Sequence, residues 1–257
     1  MSQLPRTFAR HVSSKTGFHN FELFQTTNNI FILILTDYPK MERLQLRCKP
    51  LDDLLGGGIE VNAITEIHGE AGSGKTNLCL QASREYASKG KKVAYIDSEG
   101  VSLERLDQMC KEYDSKNIFS NILFFSPSSL DEQEKMINNA INISKVGLIV
   151  VDTINLFYRI NLEDDKESTM RSFTRQIANL QIAARKEELY VIVAEQVYTD
   201  KNGDIKPFTN RDTEHMIKTI IKIEKTGVGK RQATIIKHRS QPEGGKASFA
   251  ITSTGLE

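Results

Sequence analysis

Residues 61–76 read VNAITEIHGEAGSGKT: an apolar run, a glycine-rich turn and a stretch able to begin a helix. Gly69, Gly74, Lys75 and Thr76 match G-x-x-x-x-G-K-[ST] position by position. Each residue type answers a demand of a bound polyphosphate. Gly69, Gly72 and Gly74 permit backbone angles that a side chain would forbid. The turn can then aim successive N–H groups at one anion, helped by the positive end of the helix that follows. The candidate cradle is therefore Gly69, Glu70, Ala71, Gly72, Ser73 and Gly74, with Lys75, Thr76 and Asn77 opening the helix. A lysine at position 75 can reach the β- and γ-phosphates of ATP, and the Thr76 hydroxyl can ligate Mg²⁺.

The chain of 257 residues is long enough for one large domain, or one domain with an appendage, and for a sizeable core. Its net charge of +1 means that polyanion binding must come from a local patch. Cys48, Cys79 and Cys110 lie far apart, which argues against a disulfide framework or a zinc site and for a reducing, cytoplasmic setting. The longest apolar run, residues 30–35, is too short to span a bilayer, so no membrane role is expected.

Apolar runs alternate with helical stretches from Met41 onward. Strands are expected at 61–67, 91–97, 122–125, 146–152 and 189–194. Helices are expected to about residue 88, then at 102–113, 129–143 and 166–186, with a short helical turn at 48–55 stopped by Gly56, Gly57 and Gly58. Strands apolar on both faces mean a mostly parallel, twisted sheet with helices on both sides, an α/β fold. Later, residues 216–226 and 231–237 alternate apolar and polar about Gly227-Val228-Gly229, which predicts a C-terminal antiparallel hairpin, with one more strand at 247–251. Residues 1–40 differ. They carry five phenylalanines without a clean period and no acid before Glu22. A targeting presequence, a small docking segment and an upstream extension before a start at Met41 compete, and the last is favoured. The domain reading is a leader at 1–40 and an ATPase domain at 41–257.

Two acids belong with the phosphate loop. Asp152 closes a buried strand and suits the magnesium shell. Glu99 lies just past a strand end, where open parallel sheets do ligand chemistry, and can polarise an attacking water. Gln196, beyond the next strand end, can bond both the γ-phosphate and the following loop. That loop, VYTDKNGDIKPFTNRDTEH, carries Lys201, Lys206, Arg211, Tyr198 and Phe208 and ends at His215. Residues 197–257 hold 11 Lys/Arg against 7 Asp/Glu. Cations interleaved with rings suit single-stranded DNA; a solvated sheet face is the plainer alternative.

The ordered set GEAGSGKTNLCLQ, VAYIDSEGVSLERL, LIVVDT, AEQV and a C-terminal hairpin resembles the core of the RecA/RadA recombinase family, over about residues 46–257. The likeness is strongest to members built of the core alone, on LDDLLGGGIE and KHRSQPEG. It implies a RecA-like P-loop ATPase core with ATP and Mg²⁺ as ligands. By position, Glu99 is similar to the catalytic glutamate, Gln196 to the residue linking the γ-phosphate to the DNA-binding loop, and Lys75 to the loop lysine. His215 resembles a loop histidine near the γ-phosphate, and Arg105 an arginine that stacks on adenine. Pro242 resembles part of a cap over a neighbouring protomer's nucleotide, with Lys237 and Arg239 acting across that interface. Lys201, Lys206, Arg211 and His215 are the implied DNA contacts. Neither a helix-hairpin-helix domain nor a Phe-x-x-Ala polymerisation element precedes the core, so strand exchange by filaments is not expected. The implied role is a recombination mediator with weak ATPase activity. Its partners would be single- and double-stranded DNA, a RadA-type recombinase and other repair proteins, with homo-oligomers forming through the nucleotide site. A filament-forming strand-exchange ATPase and a KaiC-like nucleotide-gated scaffold are the alternatives.

Overall fold

The computed structural model describes residues 21–25, 31–35, 42–199, 205–206 and 211–257. Two compact units divide the chain, Met1–Glu42 and Arg43–Glu257. In the first, β1 (Phe21–Gln25) and β2 (Phe31–Leu35) pair antiparallel, Phe21 opposite Leu35. The missing two-residue period gives no sign of this hairpin. The rest of the leader lies outside the described residues.

The second unit runs β3 (Arg43–Leu44), α1 (Lys49–Leu54), β4 (Ile59–Glu60), β5 (Ala63–Gly69), α2 (Lys75–Ala87), β6 (Lys92–Asp97), α3 (Leu103–Met109), α4 (Ser115–Asn121) and β7 (Ile122–Phe125). It continues α5 (Leu130–Asn142), β8 (Val146–Asp152), α6 (Leu156–Asn161), α7 (Lys166–Lys186), β9 (Tyr190–Gln196), β10 (Tyr198–Thr199), β11 (Ile205–Lys206), α8 (Arg211–Glu214), β12 (Thr219–Lys225), β13 (Lys230–Lys237) and β14 (Lys246–Ala250). Eight strands form one sheet in the order β14-β13-β12-β5-β9-β8-β6-β7. From β12 to β7 every pairing is parallel; β13 and β14 add antiparallel. The expected α/β architecture with its C-terminal hairpin is thus present.

Burial explains the layers. Every residue of β5 is buried, and β8 is nearly so, because helices cover both faces. On one face Phe173, Ile177 and Leu180 of α7 meet Ile64, Val151 and Val193 of the sheet. Removing an apolar side chain of this size from water is worth roughly 2–3 kcal/mol. On the other face α2 packs against β6 and β8.

Three local outcomes differ from the sequence expectation. The helix expected at 102–113 breaks in two. Cys110 N donates to both Leu106 O and Asp107 O, which closes α3, and the Asp114 carboxylate accepts from Asn117 N to start α4. The short α6 follows β8 without a marked period. Within the long loop, β10 and β11 pair antiparallel and α8 makes one turn.

Candidate functional site

β5 delivers the chain to the edge where the sheet's central strands end. At Gly69 a Cβ would lie 2.4 Å from Ile223 O, so no side chain fits where the loop departs. Gly74 has φ of 111° and precedes α2, a helix of 13 residues whose positive end faces the turn. Lys75 is 6% exposed, and its Nζ donates to Gly69 O at 2.9 Å and Glu70 O at 3.0 Å. Burial lowers the Lys75 pKa, and the nearby Glu99 and Asp152 charges oppose that shift.

The strand order places the ends of β5, β9, β8 and β6 side by side, with Asp97 in register with Asp152. Asp152 is buried; its Oδ2 accepts from the Tyr95 hydroxyl at 2.7 Å, whereas its Oδ1 has no hydrogen-bond partner. Burial raises the Asp152 pKa, and hydrogen bonding from Tyr95 and then Thr76 pulls it back. A buried carboxylate oxygen left open near a threonine hydroxyl is a fitting oxygen donor set for Mg²⁺ and its water shell. Glu99 is exposed, and its Oε1 accepts from Thr153 Oγ1 at 3.0 Å.

Gln196 is held from three directions. Its N–H donates to Asn155 Oδ1 at 3.1 Å, its carbonyl accepts from Asn155 Nδ2 at 2.7 Å, and its side-chain Oε1 accepts from Arg159 Nη1 at 2.8 Å. The phosphate loop, Thr76, Asn77, Glu99 and Gln196 line one cavity of about 260 Å³, together with Arg231 and Ile251. Arg231, from the start of β13, is 8% exposed. Its Nε donates to Ser73 O at 2.7 Å and its Nη2 to Gly72 O at 3.1 Å.

The remaining expected residues stand outside that cavity. Arg105 is half-buried beside it: Nε donates to Asn77 Oδ1, Nη1 to Ser253 O and Gln108 Oε1, and Nη2 to Thr252 O. Pro242 is exposed on the turn between β13 and β14. His215 is exposed just after α8 and accepts at its carbonyl from Lys218 Nζ. Lys201 lies outside the described residues, as do the side chains of Lys206 and Arg211. Sequence reasoning missed Tyr95, Asn155, Arg159 and the placement of Arg231. Tyr95 lies within the motif VAYIDSEG and Asn155 three residues beyond Asp152, but neither residue type there marks a site role.

Residues 40–257 match the family model described as Rad51. The "DNA repair and recombination protein RadB" of Methanococcoides burtonii is 46% identical over 220 residues, covering 84% of this chain and 97% of that protein. The protein of the same description from Thermoplasma acidophilum is 40% identical over 221 residues, covering 84% and 94%. A solved structure, "Crystal structure of the RadB recombinase", superposes with a TM-score of 0.74 at 36% identity, covering 83% of this chain and 98% of that one. A family match running through every strand of the second unit leads to one conclusion: this chain belongs to the Rad51 family and carries its RecA-like core.

Proposed function

We propose that the protein is an accessory of homologous recombination and DNA repair that binds Mg-ATP and DNA, hydrolyses ATP slowly and performs no strand exchange of its own. The observation that carries the nucleotide reading is how two buried cations are bonded. Lys75 and Arg231 are buried at one cavity, donate to neutral carbonyls, and have no carboxylate within ion-pair distance among the described residues. Buried unpaired cations are costly, and a polyphosphate would offset that cost. The relatives' description as DNA repair and recombination proteins supports the cellular role.

In this reading Lys75 and the start of α2 hold the phosphates. The Thr76 hydroxyl and Asp152 would hold Mg²⁺, which when bound would supply charge stabilisation for phosphoryl transfer. Glu99 accepts the proton of the attacking water, oriented by Thr153. Asn155 and Arg159 keep Gln196 at the cavity edge, where it can report the γ-phosphate to the loop beginning at Val197. Lys201, Lys206, Arg211 and His215, with Tyr198 and Phe208, then supply cations and rings to DNA. A RadA-type recombinase is the proposed protein partner. Lys75→Ala should lower Mg-ATP affinity by at least about 100-fold in a fluorescent-nucleotide titration. Unaltered affinity would refute the site.

A further inference from the structure

We propose that Arg231 is a positioning residue for the phosphate loop: from the hairpin, it fixes the loop's carbonyls so that the Gly74 amide is presented to the nucleotide. The proposal rests on the nucleotide reading of this cavity. Arg231 is far from the loop in sequence, 158 residues from Ser73. The sheet brings them together because β12 pairs in parallel with β5, and β13 then returns beside β12.

The guanidinium is a fork with five N–H donors in fixed directions. Nε and Nη2 take the carbonyls of Ser73 and Gly72, at 2.7 and 3.1 Å. Nη1 takes those of Lys230 and Gly227, at 2.9 and 3.4 Å. One side chain therefore ties the β12–β13 turn to the phosphate loop. In a planar trans peptide the C=O and N–H point in opposite directions. Holding Ser73 O against Arg231 turns the N–H of the same peptide, that of Gly74, away from Arg231. The neighbouring Ser73 N–H is spent inside the turn, on Glu70 O at 3.1 Å. Preset amides of this kind cost nothing to reorganise when an anion arrives.

A purely structural staple would not need this chemistry. Arg231 is buried among neutral carbonyls, with no carboxylate within ion-pair distance among the described residues, and such a placement penalises the empty fold. It also lines the cavity that Lys75 and Glu99 line, where a bound polyphosphate would add negative charge beside both cations. The same guanidinium stands 3.7 Å from where a Cβ on Gly74 would sit, close enough to shape the loop's last residue.

The test compares the full-length parent with Arg231→Ala, Arg231→Lys and Lys75→Ala. Mg-ATP affinity is read with a fluorescent ATP analogue, and the thermal midpoint is read with and without nucleotide. Arg231→Ala should keep or raise the nucleotide-free midpoint and lose affinity about 10- to 100-fold. Millimolar guanidinium ion added to Arg231→Ala should restore affinity several-fold, while leaving the parent and Lys75→Ala unchanged. Arg231→Lys keeps the charge but loses the fork, and should bind several-fold more weakly than the parent. Parent-like affinity in a folded Arg231→Ala overturns the proposal. Should that variant not fold, parent-like affinity in Arg231→Lys does so instead. A parent that binds no Mg-ATP refutes the nucleotide reading itself, an outcome distinct from failure at Arg231 alone.

Discussion

Replacing Glu66 by Gln should make the protein more stable, and increasingly so as pH rises. Glu66 lies on β5 at 1% exposure, and the His68 Nδ1 is 3.2 Å from its Oε1. Burial drives the Glu66 pKa from its ordinary 4.5 up to about 7; a hydrogen bond with Glu195 lowers it, the Glu214 charge raises it and the Lys237 charge lowers it. The unfolded chain releases this proton near 4.5, whereas the folded chain keeps it until about 7. Across that window rising pH favours unfolding by about 1.4 kcal/mol per pH unit, to a total of roughly 3 kcal/mol. Stability from this group is therefore fully present below about 4.5 and is lost as pH climbs through about 7. Gln keeps an acceptor for His68 and cannot ionise. His68, Glu195, Glu214 and Lys237 remain in both proteins, so their own pH dependence cancels to first order. Urea denaturation from about pH 5 to about pH 8 should show the advantage of Glu66→Gln growing by roughly 2–3 kcal/mol and then levelling. Parallel stability curves for the two proteins across that range would refute the reasoning.

Glu99→Gln keeps the hydrogen-bonding shape toward Thr153 and removes the base; Mg-ATP binding should persist while steady-state turnover falls about 10²- to 10⁴-fold. Hydrolysis at the parent rate would remove Glu99 from that role. Single-stranded DNA binding, measured by fluorescence anisotropy, should weaken with added salt, and changing Lys201, Lys206 and Arg211 together to Ala should flatten that salt dependence. Parent-like binding by the triple variant would move the DNA contact elsewhere.

The layered sheet was legible because its strands are nearly continuous apolar runs, as in Leu148-Ile149-Val150-Val151 before Asp152, and full burial selects that pattern. The turn from β5 to α2 was legible because its residues are contiguous. What was hidden depends on distance along the chain. Arg231 sits in KRQATIIK, one cation among many, and gains a partner only once β12 lies beside β5. Asn155 belongs to no pattern, since its role is to grip backbone that arrives a strand later. The break between α3 and α4 was missed for a local reason: Cys110-Lys111-Glu112-Tyr113 offers no glycine or proline to mark it, and the Asp114 cap alone carries the signal.

If the base of a bound nucleotide rests on Arg105, as the family resemblance implies, the bonding of that residue limits how the base can be told apart. Asn77, Gln108, Thr252 and Ser253 take hydrogen bonds from all three of its guanidinium nitrogens. What would be left to a purine is mainly the flat π surface, a shelf on which adenine and guanine would rest almost equally well. Any preference between the two must therefore be written by other side chains, and changing Arg105 should shift how firmly a base is held more than which base is chosen.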